Sequence, residues 1–217
     1  SKVEIASNNS TRKYYTIALD GSGMTEISTT EVVTSDKNVS PDGTHKISTE
    51  EIKIRDINGT DYYPELKESN MMIYNELNYR HWDTWEDGKY SHIMVSNIDG
   101  SNKMDIMANE PFDCPQKPFG GGEDYIWAPD GKSLLYVTKK LSGTEYAVST
   151  NTDIYQYDLA TSQTKNLTED NKGYDTEPSY SSAGVLGYCQ MEREGYESDK
   201  KDIIIILDGQ KINLTAH

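Results

Sequence analysis

The chain has 217 residues, with 36 acidic against 21 basic side chains, a formal net charge of −15 and a mean hydropathy of −0.76. A negative excess of that size repels phosphate backbones and argues against a nucleic-acid surface, while the length allows one domain or two with a real core. The longest aliphatic run, 203–207, is far too short to cross a bilayer.

In chain order, one strand–turn–strand phrase recurs four times. Residues 14–28 read YYTIALDGSGMTEIS, 93–107 IMVSNIDGSNKMDIM, 154–168 IYQYDLATSQTKNLT and 203–215 IIIILDGQKINLT. Each is an apolar strand, a turn on Asp, Gly or small residues, and a second short strand ending in Ile or Leu. A unit restated in this way is being stacked, and repeats with four short strands read as propeller blades. The last aliphatic residues, Ile27, Ile106, Leu167 and Leu214, lie 79, 61 and 47 residues apart. A plain blade takes about 40–50 residues. The last interval is therefore one blade with little decoration, and the middle one carries a loop insertion. The first is either one heavily inserted blade or a degenerate pair.

A second repeat keeps the same phase: VSPDG at 39–43, WAPDGKSLLY at 127–136 and YSSAGVLGY at 180–188. Pro presets the first turn torsion and Gly accepts the positive φ that follows, so flanking strands reverse tightly. The third copy loses Pro and Asp and keeps Gly184. Sixteen Tyr against two Phe suit half-buried β positions, where the ring packs and the hydroxyl reaches a partner. Residues 63–79, with Glu65, Leu66 and Lys67 after Pro64, predict a short helix within the long first insertion. The Pro/Gly-rich stretch 111–122 is a connector between blades, and 192–202 is a charged excursion inside the last one. The fold class is all-β: a β-propeller of about four antiparallel blades over 1–217, incomplete, with a short helical insertion.

Four segments, YRHWDTWEDGKYSHIMV (79–95), YIWAPDGKSLLYV (125–137), EYAVSTNTDIYQYDLAT (145–161) and GYDTEPSY…MEREGYESDKKD (173–202), resemble the N-terminal propeller of the prolyl oligopeptidase family. The nearer likeness is to its dipeptidyl-peptidase and acylaminoacyl-peptidase branch. Membership implies a two-part serine peptidase, in which the propeller caps an α/β-hydrolase domain and filters the peptides that reach it. This sequence has no G-x-S-x-G elbow, and Ser22, Ser101 and Ser142, the serines beside glycine, fall in predicted turns. The expectation is a propeller portion with no catalytic residue of its own. Its partners would be a peptide substrate and the hydrolase domain of the same parent, and open blade faces could support self-association. The resemblance implies export to a periplasm or cell surface. Pro-Asp-Gly turns are also common in TolB-type propellers, so the alternative is a non-catalytic module binding a protein or glycan.

The resemblance also implies that propeller carboxylates hold the free amino terminus of the peptide. The candidates are Glu192, Glu194 and Glu197, with Arg193 and Tyr196, in the charged excursion. A partly desolvated ammonium needs opposite charge close by, and carboxylates on one loop supply charge-assisted hydrogen bonds. The plainer reading is a solvated hairpin whose charges keep it soluble. Arg80, Trp82 and Trp85 could line a channel wall by stacking; against that stands an insertion packing its own aromatics.

Of His45, His81, His92 and His217, none forms a metal-binding motif, so neither metal nor cofactor is expected. His217 has no serine nucleophile or orienting acid to work with. Cys114 and Cys189 make no disulfide framework and leave a single long-range bridge open. The Asn-x-Thr matches at Asn166 and Asn213 belong to the blade-closing repeat.

Overall fold

The computed structural model describes residues 2–6, 9–16, 18, 22–27 and 36–216. Two compact units divide the chain, Ser1–Lys37 and Asn38–His217. In the first, strands β1 (Lys2–Ala6), β2 (Asn9–Thr16) and β3 (Thr25–Ile27) form one antiparallel sheet in that order. Tyr14 stands opposite Ile27, so the first closing phrase pairs as its pattern predicts. Its turn residues Asp20 and Gly21 and its last residue, Ser28, lie outside the described residues, as does His217.

The second unit holds three blades in chain order. The first contains β4 (His45–Lys53), a one-turn helix α1 (Gly59–Tyr62), a two-residue hairpin of β5 (Arg80–His81) and β6 (Thr84–Trp85), then β7 (Lys89–Asn97) and β8 (Met104–Asp105). The blade sheet runs β4-β7-β8, and Val39 bridges Lys46 in place of a full innermost strand. The long first interval is thus one inserted blade, with residues 54–88 as the insertion. Gly88 closes it: its carbonyl accepts from the amides of Ile54 and Arg55 at 2.9 and 3.1 Å, and its φ of +82° is a conformation that favours glycine.

The second blade orders as β9 (Tyr125–Trp127), β10 (Ser133–Thr138), β11 (Asp153–Asp158) and β12 (Gln163–Asn166), with a helix α2 (Gly143–Val148) between β10 and β11. The third is β13 (Asp175–Tyr180), β14 (Leu186–Gln190), β15 (Asp202–Leu207) and β16 (Gln210–Asn213). All neighbouring strands are antiparallel, and both inner hairpins turn on the sequences their repeat marks.

One expected element is corrected. No helix spans 63–79; the helical turn comes earlier, at α1, and 63–79 is turns and extended chain. Tyr63 has φ −131° and ψ 75°, outside the helical region, because the residue before a proline is pushed away from it. The start of α1 is held by Asp61, whose carboxylate accepts from the amides of Ile57 and Asn58 at 3.1 and 2.9 Å. Helix α2 carried no recognised sequence signal.

The core explains the residue choice in the middle blade. Every residue of β10, SLLYVT, is buried, because blades cover both faces of its sheet. Leu134 and Tyr136 join Trp127, Tyr155 and Tyr157 against Ile47, Ile93, Val95 and Met107 of the first blade. Leu135 and Val137, one residue out of phase, join Ile154 against Leu186, Tyr188 and Ile204 of the third. The period of two thus sorts one continuous apolar run into two interfaces.

The Asn-x-Thr ending is a hydrogen-bond clip. The Thr168 amide donates to the Asn166 side chain at 2.9 Å, while the Thr168 hydroxyl accepts from the Ile154 amide at 3.0 Å and reaches Asp153 at 3.3 Å. Asn213, Thr215 and Asp202 repeat it, with the Thr215 hydroxyl receiving the Ile203 amide at 2.9 Å. In the first blade Asp105 takes the Asn role, accepting from the Met107 amide at 2.9 Å, and the buried His92 ring contacts its other oxygen at 2.8 Å.

On β15, the side chains that face away from the second blade are apolar. Ile203 and Leu207 are 46% and 43% exposed, with Ile212 and Leu214 of the closing hairpin beside them at 39% and 55%. By register Ile203 matches Ile154, which is fully buried between blades.

Candidate functional site

Antiparallel strands send their connections alternately to the two faces of a blade, so hairpin turns and long loops separate. Thr152 at the start of β11 bridges Tyr174 at the start of β13 in parallel, which gives both blades the same sense. The Pro-Asp-Gly turns lie together on one face, where Gly131 abuts Asp42. The insertion 54–88, the β10–β11 loop and the excursion 191–201 emerge on the other.

On that second face they enclose a cavity of about 440 Å³. Its wall draws on the insertion through His81, on the connector through Lys117, Phe119, Glu123 and Asp124, and on the β10–β11 loop through Lys139, Tyr146 and Ser149. The third blade contributes Tyr174, Thr176, Glu177, Glu197 and Lys201.

Lys139 organises the second-blade loop. Its ammonium donates to the carbonyls of Tyr146, at 2.7 Å, and Ser149, and sits 4.4 Å above the Tyr146 ring. A cation at the carboxyl end of α2 complements carbonyls the helix leaves unpaired. Burial pulls the Lys139 ammonium below its ordinary value, and the negative Glu197 acts in the opposite sense. Burial raises the Asp124 carboxyl to about 6 and the Tyr146 phenol to about 12.

The five excursion residues divide by role. Arg193 is tied to Asp199 through Nε at 2.9 Å and a terminal nitrogen at 2.6 Å, and lies 4.2 Å over the Tyr196 ring. The Arg193 side-chain hydrogen bonds hold the Asp199 carboxyl far below the usual carboxylate range. Arg193 and Tyr196 therefore shape the loop. Glu194 accepts from the Ser149 hydroxyl at 2.9 Å, and the Gly195 amide donates to the Thr150 hydroxyl at 2.9 Å, so the excursion is fastened to the second blade. Glu192 is exposed and outside the cavity wall, and Glu197 alone of the five lines it.

Arg80, Trp82 and Trp85 occupy the small hairpin of the insertion. Trp85 stacks on Tyr74 and Tyr79 at 6.0 and 6.1 Å, with Arg80 5.5 Å above it. Trp82, 65% exposed, meets Phe119 edge-on at 5.3 Å. None of the three lines the 440 Å³ cavity, although their neighbour His81 does; Trp85 borders a separate open groove with Met72, Leu77 and Tyr79.

Sequence reasoning missed Lys139, Tyr146 and Glu123. Lys139 follows a strand and Tyr146 lies on an unsignalled helix, so neither stood out; the Gly-Gly-Gly-Glu-Asp run at 120–124 was the available clue. Both cysteines are free thiols, with Cys114 buried and Cys189 donating to Glu177 at 3.5 Å. Among the described residues no group of three or more His, Cys, Asp or Glu side chains is placed to hold a metal ion, and no helix is long and apolar enough to cross a membrane.

The chain is 38% identical to dipeptidyl-peptidase 5 of Porphyromonas gingivalis over 169 residues, covering 76% of this chain and 25% of that protein. It is 40% identical to dipeptidyl-peptidase 5 of Porphyromonas endodontalis over 164 residues, 74% of this chain and 23% of that protein. With the Aspergillus fumigatus protein of the same name the identity is 28% over 180 residues, covering 71% of this chain and 24% of that protein. No protein-family profile matches. TolB of Acinetobacter baumannii is a remote structural likeness, with a TM-score of 0.42 at 18% identity, covering 94% of this chain and 37% of that one.

Blade stacking defines the class, a β-propeller portion, and over about three quarters of its length the chain is similar to proteins named as dipeptidyl-peptidases. Within that class its sequence is similar to the proteins named dipeptidyl-peptidase 5, in line with the resemblance carried by its motifs. It spans about a quarter of the length of the curated relatives it matches.

Proposed function

We propose that this propeller portion gates and positions peptides for a serine exopeptidase, with the hydrolase domain carried elsewhere on the parent polypeptide. Glu197 holds the amino terminus of the substrate, and Glu194 holds the loop that carries Glu197. The observation that carries this reading is the cavity itself: loops of three successive blades converge on one face, and Glu197 lines the space they enclose. A cavity of that size admits the first residues of a peptide and is closed to a folded protein. Fixing the amino terminus sets how many residues reach the nucleophile, which turns binding into orientation at the scissile bond.

The test compares Glu197→Ala with the parent full-length polypeptide on a free dipeptidyl arylamide and on an amino-blocked peptide. The expected result is a loss of kcat/KM of about tenfold or more on the free substrate, from one charge-assisted hydrogen bond, with the blocked peptide spared. Equal rate constants for variant and parent on both substrates would remove Glu197 from this role.

A further inference from the structure

We infer that the insertion 54–88 carries a second binding site, for a neutral carbohydrate, on the aromatic groove that Trp85 borders. This goes beyond the reading above and does not depend on it.

The small hairpin separates the two sites. Arg80 stands opposite Trp85 and His81 opposite Thr84, and side chains alternate between the two faces of a strand. His81 lines the 440 Å³ cavity, so Arg80 and Trp85 belong to the other side, where Trp85 borders a groove of about 530 Å³. That volume suits a small ligand. Seven residues line the groove, whereas a stable interface between folded proteins takes about 20–30 a side.

The apolar part of the groove is preset and open. Trp85 lies within 23° of parallel to Tyr74 and 22° to Tyr79, and the Tyr74 hydroxyl is fixed by donating to the Glu86 carbonyl at 2.8 Å. Even so, Trp85, Tyr79 and Leu77 stay 49%, 42% and 47% exposed, so the insertion does not close its own aromatic cluster.

The polar groups beside it have forked geometry. Asn75 has no hydrogen bond among the described residues, and the Arg80 guanidinium, 5.5 Å from the Trp85 ring centre, has no carboxylate partner among them. Glu76, also in the wall, is held by Arg55 through one oxygen. Amide, guanidinium and carboxylate each present two polar atoms side by side, which matches the neighbouring hydroxyls of a pyranose. The C–H face of the same sugar packs on an aromatic ring. A net charge of −15 repels an acidic polysaccharide, and one unpaired guanidinium does not offset it, so the sugar is neutral.

Calorimetry on the full-length polypeptide provides the test, with maltotriose, cellotriose, mannotriose and chitotriose as neutral probes and trigalacturonate as the acidic one. At least one neutral probe is expected to bind. Trp85→Ala should raise its Kd about tenfold through lost ring contact, and Arg80→Gln about fivefold through lost hydrogen bonds. Asn75→Ala, at an exposed position, should raise it about threefold and keeps the test decisive if Trp85→Ala does not fold. Binding of trigalacturonate alone would overturn the neutral class. Binding that none of the variants weakens would put the sugar elsewhere and overturn the site. No binding of any neutral probe would overturn the inference altogether.

Discussion

Ser149 donates its hydroxyl hydrogen to Glu194 across 2.9 Å, joining the β10–β11 loop of the second blade to the excursion of the third. The two residues are 45 apart in sequence, and Thr150 and Gly195 repeat the connection one residue further on. Wall segments of the cavity thereby become one surface. Ser149→Ala or Glu194→Ala should cost no more than about 1 kcal/mol in global stability, as expected for a part-exposed hydrogen bond. Amide exchange over 191–201 should nevertheless quicken. Unchanged exchange there would show that the staple does not hold the loop.

Gly195 has φ +72°, and a Cβ on it would lie 3.3 Å from the Val148 carbonyl. Gly195→Ala should therefore cost roughly 1–2 kcal/mol through backbone strain. The same exchange experiment should show both 143–149 and 191–201 loosened.

Asp175 is fully buried at the start of β13, and burial raises its carboxyl to about 7, with Asn171 donating to it and Asp153 adding like charge. Its folded value lies above the unfolded one, so its contribution to stability is complete below about pH 4 and is lost as pH rises through about 7. Asp124, raised to about 6, acts in the same sense. Unfolding by urea should show stability falling from pH 4 to pH 7. Asp175→Asn should flatten that slope, and an unaltered slope would mean that Asp175 is not its source.

Leu134 and Leu135 are both fully buried on β10 but belong to different interfaces. Each change to Ala should cost about 2–5 kcal/mol. Leu134→Ala should loosen the contact with the first blade, and Leu135→Ala the contact with the third. Exchange protection at 93–95 or at 203–206 would separate the two effects.

We further propose that the exposed face of the third blade, with Ile203, Leu207, Ile212 and Leu214, supports self-association of the 217-residue chain. An apolar sheet face of this kind is left uncovered in few monomers. Light scattering should show oligomers that Ile203→Asp with Leu207→Lys converts to monomer. A parent chain that is monomeric at high concentration would exclude this.

Much of the blade pattern was legible because it repeats. The Pro-Asp-Gly turns and the Asn-x-Thr endings are local devices, so their residues announce them wherever they occur. The helix expected at 63–79 failed because its formers Glu65, Leu66 and Lys67 are all exposed and have no face to pack against the blade, whereas α1 formed on capping by Asp61. The excursion 192–202 was recognisable as a candidate by its charges, but five charged or aromatic side chains look alike in a string. Only their partners separate Arg193, bound to Asp199, from Glu197, which opens on the cavity.

By itself the amino-acid order determined the all-β class, the spacing of the blades and the loop that carries candidate carboxylates, because hairpin turns and period-two patterning act over a few residues. The tertiary structure alone decided which charges remain unspent. Lys139 and Glu197 lie 58 positions apart in the chain, and no local pattern encodes whether a backbone carbonyl or a carboxylate will satisfy an ammonium once three blades have packed.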